Sequence, residues 1–204
     1  MNSHNPVPGT HLCGHTGTLY GSGRYGRIQE EDRSYLRHNL CPDCNSKIQI
    51  LIDAARIDAA VLAQASGLQR PIVKGTPKQV AWANSIVGQV FPLLSAIAAA
   101  GRAQDDELGT AVARAVSLIC HITDAGFWIK RQDAFRTMNS YCITGEVADV
   151  LRKASHSYQG SATSWLAGLI PHTCKPDKHY RYAQRTLLDQ LLREPAALDT
   201  VSSC

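Results

Sequence analysis

The chain has 204 residues, which suffices for one large domain or two small ones. A hydrophobic share of 44% excludes wholesale disorder, and an aromatic share of only 6% points to an aliphatic, helical core. Lys and Arg number 21 against 17 Asp and Glu, and a net charge of +4 permits an acidic partner without requiring one.

Residues 1–10 contain Asn5, Pro6, Pro8 and Gly9 and read as a loose tail. The opening MNSHNPVPGTHLCGH has neither the basic n-region nor the apolar h-region of a secretory leader. Seven cysteines is an odd number, and the chain has apolar residues enough to build a core unaided. Both facts favour reduced thiols in the cytoplasm over a disulfide framework.

Residues 11–45 differ from all that follows. They are rich in Gly, Tyr, Arg and His, and the run around Gly21-Ser22-Gly23 suggests a short hairpin. Cys13-Gly14-His15 and Cys41-Pro42-Asp43-Cys44 bracket this stretch, 25 residues apart. Zinc takes four tetrahedral ligands from thiolate and imidazole, and a C-x-x-C turn aims two sulfurs at one point. The C-x-H half is a tight bite that Gly14 makes feasible. So short a module has little else to hold it folded, so the metal would supply the folding free energy. Cys13, His15, Cys41 and Cys44 are therefore the expected zinc ligands, with His4, His11 and His38 as alternatives to His15. Two competing readings stand beside this one. C-P-D-C at a helix start also suits a redox pair, although that motif normally follows a strand in a βαβ unit. Or Cys13 is an ordinary cysteine.

Residues 46–195 read as a helical domain of about five or six helices, with 196–204 as a tail. Asn45 or Ser46, with Gln49, offers a start, and Ile48, Leu51, Ile52, Ala55, Ala59 and Leu62 follow at helical spacing until Gly67 and Pro71. Thr76-Pro77-Lys78-Gln79 is the clearest helix start: a cap hydroxyl, a proline at the first position and a Gln that reaches back. Val80, Ala83, Val87, Val90 and Leu94 form one face of that helix, and Trp82, Ile86, Leu93 and Ile97 another. Pro92 should kink or break it, and Gly101 should close it. The charge-free run Gln79–Gly101 is long enough to span a bilayer but contains Asn84, Ser85, Gln89 and Ser95, so a buried core helix is expected and no membrane insertion. Asp105, Asp106 and Glu107 suit the start of the next helix, which carries Leu108, Val112, Ala115, Ile119 and Ile122. Asp124-Ala125-Gly126 interrupts it before Phe127-Trp128-Ile129. Further helices are expected over 146–156, 163–170 and 178–193.

Cys120 falls on an apolar face and reads as a small hydrophobe. Cys142, His156, His172, Cys174 and His179 are too sparse for a zinc turn, and no local context marks Cys142 as a nucleophile. The P-loop, the dinucleotide fingerprint, H-E-x-x-H and G-x-S-x-G are all absent from the sequence, so an enzyme is not expected. Two segments interleave basic and aromatic residues: Arg24, Tyr25 and Arg27, expected on the hairpin with Arg33, Tyr35, Arg37 and His38 nearby and Glu30, Glu31 and Asp32 breaking the patch, and a stripe of Lys178, Arg181 and Arg185 interleaved with Tyr180 and Tyr182, which also reads as a solvated helix face. Charges of +1, 0 and +3 over residues 1–50, 51–110 and 111–204 are less lopsided than a dedicated duplex-DNA binder would carry.

The C-x-H, the C-P-D-C, the run G-T-P-K-Q-V-A-W-A-N-S-I and the later F-W-I-K-R together resemble a group of small accessory proteins of plasmids and phages. In that group a zinc-ribbon-like head precedes a helix beginning G-[ST]-x-K-Q-x-x-W-A. The matching positions are Gly75, Thr76, Lys78, Gln79, Trp82 and Ala83, then Phe127, Trp128 and Ile129, while the group's Arg after W-A-x-x-I is Val87 here. The resemblance covers residues 11–131 and implies a mobile-element setting rather than a chemistry. The shared residues themselves read as structural, with Trp82 and Trp128 expected to pack together. The expected function is a zinc-containing, non-enzymatic interaction protein that binds and modulates a macromolecular partner, such as conjugation or host-defence machinery. A protein partner is favoured, and a nucleic acid is the alternative.

Overall fold

The computed structural model describes residues 6–151 of the chain. It is mainly helical, with a small two-stranded hairpin in front of the helices. Strands β1 (Val7–Thr10) and β2 (Thr16–Leu19) pair antiparallel with Val7 opposite Leu19 and Thr10 opposite Thr16. The hairpin therefore lies upstream of the expected Gly21–Gly23 turn. It also recruits residues 7–10, which read as tail because the prolines and glycine there are turn formers elsewhere. A 3-10 turn, Arg24–Gly26, leads to α1 (Glu30–His38).

Helix α1 was not expected. Its signals are local and polar: Gln29 and Asp32 form a reciprocal capping box, Glu30, Glu31 and Asp32 sit at the positive end of the dipole, and Arg37 and His38 at the negative end. The Asp32 carboxylate accepts from the backbone N–H groups of Gln29 (2.8 Å) and Ser22 (3.1 Å), and these bonds hold its pKa below the ordinary value.

The remaining described helices are α2 (Pro42–Ile57), α3 (Ala59–Ala65), α4 (Pro77–Ala103), α5 (Glu107–Cys120), α6 (Ala125–Lys130), α7 (Gln132–Thr137) and α8 (Ser140–Leu151). The long helix α4 is the axis of the body and packs against α2, α3, α5 and α6, while α8 closes over α2 and α5. The expected start of α4 is present: Thr76 accepts from the Gln79 N–H, and the Gln79 side chain accepts from the Thr76 N–H at 3.1 Å. Ala83, Val87, Val90 and Leu94 are buried, as their spacing required. The helix runs through Pro92 without a break. The carbonyl that loses its partner there belongs to Gly88, which is exposed to water.

Helix α4 also runs past Gly101. Here the glycine is a contact and not a stop: a Cβ on Gly101 would lie 2.6 Å from the Gly109 carbonyl of α5, so the two backbones meet where neither bears a side chain. Of the most apolar 18-residue window of α4, 61% is buried, although length and composition alone would let the helix cross a membrane.

Trp128 and Trp82 do not pack together. Trp128 is fully buried, stacks on Phe135 with centroids 5.0 Å apart, meets Phe127 edge-on at 5.2 Å, and donates its indole N–H to the Ile122 carbonyl at 2.9 Å. Trp82 is 53% exposed, because α4 has its neighbours on the Ala83 and Ile86 side. Asp124 interrupts the chain as expected, accepting from the N–H groups of Gly126 and Phe127 to cap α6. Lys74 is bridged to Asp124: its N–H donates to the Thr123 carbonyl (2.6 Å) and its carbonyl accepts from the Ala125 N–H (2.9 Å). The expected helices over 163–170 and 178–193, and the end of 146–156, lie outside the described residues.

Candidate metal centre

The four predicted ligands converge. The ligand atoms of Cys13, His15, Cys41 and Cys44 all lie within 4.8 Å of one another. Cys13 and His15 sit on the tip of the hairpin. There the His11 N–H donates to the His15 carbonyl (2.9 Å), the Gly14 N–H donates to the His11 carbonyl (2.9 Å), and Gly14 adopts φ +80°, a conformation that glycine takes without strain. The tip is docked by the Leu12 N–H, which donates to the carbonyls of Leu36 and Asn39 at the end of α1.

Cys41 and Cys44 occupy the first turn of α2. The helix starts at Pro42, not at the expected Asn45 or Ser46, because Cys41 is itself the cap. Its sulfur accepts from the Cys44 N–H at 3.3 Å, and the Cys13 sulfur accepts from the Cys41 N–H at 3.4 Å. The His15 Nδ1 lies 3.4 Å from both the Cys41 and the Cys44 sulfur. The imidazole thus faces the thiols through Nδ1, the nitrogen that a one-residue bite from Cys13 can bring inward. Cys41 and Cys44 are buried, Cys13 is half-buried and His15 is exposed, so the site is closed on the α2 side and open at the hairpin tip.

The residues fit a divalent cation. Burial pushes the Cys13 thiol up, but hydrogen bonds from the Cys41 and His15 backbones and side chains outweigh it and bring the thiol down to about 7. Cys44 is pushed up to about 12 by burial and then by the neighbouring sulfurs of Cys41 and Cys13. Three sulfurs in one small space cannot all ionise unaided, and a cation among them removes that conflict. The two N–H···S contacts fix the sulfur lone pairs as outer-shell bonds do around metal thiolates.

The alternative ligands do not join the cluster. His11 is buried behind the hairpin, its Nδ1 without a hydrogen-bond partner, and His38 turns its Nδ1 to the Ser34 carbonyl at 2.7 Å. His4 lies outside the described residues. Arg24 and Tyr25 fall in the 3-10 turn and Arg27 follows it, so none is on the hairpin as expected; the Tyr25 side chain is not among the described features. Lys178, Arg181 and Arg185 lie outside the described residues, as do His156, His172, Cys174 and His179. Cys142 contacts Asn139 Oδ1 at 3.4 Å and the Ala134 carbonyl. Cys120 is buried, and burial alone pushes its thiol to about 12, as befits a small hydrophobe.

The sequence marks Arg33, Tyr35, Arg37 and the acidic residues Glu30, Glu31 and Asp32 near the head but not the helix, α1, that carries them. Glu30 pairs with both Arg33 and Arg37, and Tyr20 and Tyr35 are 70% and 64% exposed. The acidic triplet followed by Arg37-His38 was the available signal for the helix that carries most of these residues. No family model, curated protein or solved structure matches the chain.

Proposed function

We propose that Cys13, His15, Cys41 and Cys44 hold zinc, and that the metal-stapled head is the contact surface of a non-enzymatic interaction protein. The convergence of the four ligand atoms carries this reading. Three thiolates and one imidazole suit zinc, and a fully protein-ligated tetrahedron leaves no open position for chemistry, which is the hallmark of a structural site.

A protein partner is favoured over a nucleic acid by the charge of the head. Arg24, Arg27, Arg33 and Arg37 are balanced by Glu30, Glu31, Asp32 and Asp43, and Glu30 pairs with two of the arginines. Zinc with three thiolates and a neutral imidazole adds one further negative charge. A phosphate-binding surface needs the opposite balance. Exposed Tyr20 and Tyr35 are the side chains best suited to anchor a protein contact. The setting, a mobile element with a target in conjugation or host defence, is supported by the sequence resemblance alone.

The test is metal analysis of the purified chain, paired with affinity capture from cells carrying the native element. One equivalent of zinc, lost in the Cys44→Ser variant, and a protein captured by the wild type but not by that variant support the proposal. A metal-free chain refutes the zinc site. Retention on nucleic acid that falls steeply with salt refutes the protein partner.

A further inference from the structure

The three sulfurs of the candidate metal centre are not equally shielded. Cys41 and Cys44, on the first turn of α2, are 4% and 2% exposed. Cys13 is only half-buried, on a hairpin tip whose Gly14 and His15 are exposed. The cysteine most open to solvent is thus the one that arrives from the hairpin. The sulfurs also differ in what they accept. The Cys13 sulfur accepts from the Cys41 N–H at 3.4 Å and the Cys41 sulfur from the Cys44 N–H at 3.3 Å. Among the described residues, the Cys44 sulfur accepts from no backbone N–H, and its one polar neighbour besides the sulfurs is the His15 Nδ1 at 3.4 Å. Neither of the other described cysteines belongs to this cluster: Cys120 is buried in the helical core, and Cys142 contacts the oxygens of Asn139 and Ala134.

We infer that the centre is also a site of reversible oxidation, at which a peroxide joins Cys13 to Cys44 in a disulfide and the metal is released. This rests on the zinc reading above, because a metal-bound cysteine is held as the thiolate, the form that reacts with peroxide. The Cys13 thiolate is the one that a small solute reaches. Its sulfur attacks one peroxide oxygen, the O–O bond breaks, the second oxygen leaves as hydroxide and is protonated to water, and Cys13 becomes a sulfenic acid. The Cys44 thiolate, within 4.8 Å, then attacks the Cys13 sulfur. The S–S bond forms, the S–O bond breaks, and a second hydroxide leaves and is protonated to water. Each sulfur has given up one electron, and the peroxide has taken both. Cys44 resolves the sulfenic acid rather than Cys41 because its sulfur gives up no N–H···S bond in the attack, while the Cys41 sulfur caps α2. Two of the four ligands are consumed, so the cation departs. A dithiol reductant reverses the bond and restores the ligands. The product differs from the one that a C-x-x-C pair forms within itself. A Cys13–Cys44 bond ties the hairpin tip to α2 as the metal did, whereas a Cys41–Cys44 bond would close a single helical turn and leave the hairpin untied.

The experiment begins with zinc analysis of the reduced, full-length chain. Hydrogen peroxide is then added, zinc release is followed with a chromogenic chelator, and the bond formed is located by alkylation and peptide mapping. Loss of the bound zinc in step with a disulfide mapped to Cys13 and Cys44 is expected, with zinc rebound after treatment with a dithiol. The oxidised, zinc-free chain should also unfold at a higher urea concentration than the reduced, chelated chain, because the cross-link restricts the unfolded chain. Zinc that stays bound in excess peroxide overturns the inference, as does a bond mapped to Cys41 and Cys44 or a urea midpoint unchanged by oxidation. A reduced chain that holds no zinc before peroxide is added is a different failure: it overturns the zinc reading, and this inference with it.

Discussion

The Cys44 backbone N–H donates to the Cys41 sulfur at 3.3 Å, so one side chain is both the N-terminal cap of α2 and a ligand of the candidate metal centre. The two roles are separable by substitution. Serine caps a helix well but is a poor zinc ligand, and alanine does neither. Cys41→Ser and Cys41→Ala are both expected to lose the metal. In the presence of chelator, Cys41→Ala should be less stable than Cys41→Ser by about 1 kcal/mol in urea unfolding. Equal stabilities would remove the capping role.

Metal uptake should depend steeply on pH. With Cys44 at about 12 and Cys13 at about 7, binding at pH 8 expels the Cys44 proton, and below pH 7 the Cys13 proton as well. As pH drops, apparent affinity should fall at least about tenfold per unit above 7 and at least about a hundredfold per unit below it, read by competition with a metal-sensitive dye.

The metal-free protein should respond to pH in the opposite sense on either side of about 9. The Cys13 thiol is depressed from 9.0, so its contribution to stability is full above 9 and is lost as pH falls through 7. The Cys44 thiol is raised from 9.0, so its contribution is full below 9 and is lost as pH rises toward 12. The part of the stability due to this pair, read as the difference in urea midpoint between the chelated protein and its Cys13→Ser/Cys44→Ser variant, is expected to rise from pH 7 toward 9 and to fall above it.

The two described tryptophans should differ in their thermodynamic weight. Trp128→Ala removes a buried ring from the cluster with Phe127 and Phe135 and strands the Ile122 carbonyl, which should cost about 3–5 kcal/mol. Trp82→Ala on the exposed face of α4 should cost about 0.5 kcal/mol or less. Chemical denaturation of both variants checks the contrast.

The glycines of α4 should diverge in the same way. Gly101→Ala drives a methyl against the Gly109 carbonyl and should destabilise by about 1–3 kcal/mol. At Gly88 the nearest atom is the flexible Arg70 guanidinium at 3.4 Å, so Gly88→Ala should be neutral or stabilising by up to about 1 kcal/mol. Paired thermal melts decide it.

Much of the centre was legible because ligand chemistry is written in residue type and spacing. Cys13, His15, Cys41 and Cys44 need no tertiary context to be singled out, and Thr76-Pro77-Lys78-Gln79 states a helix start in four letters. The failures share a cause: each turned on what lay across from a residue. Gly21-Ser22-Gly23 has turn composition, yet the hairpin forms where the His11–His15 tip is held by Leu36 and Asn39. Gly101 looks like a stop until Gly109 is seen against it. Trp82 and Trp128 are chemically alike, and only the neighbours of α4 and α6 decide which is buried. Helix α1 was missed because its evidence is charge placement, with Leu36 its one buried apolar residue.

The bridge between Lys74 and Asp124 ties the approach to α4 directly to the turn before α6. Two stretches of backbone distant in sequence are thereby clamped as if riveted, and the connector after α3 splits into unequal parts. Extra residues spliced in beside Lys74 would pull the rivet and uncouple the indole-bearing corner from the central rod.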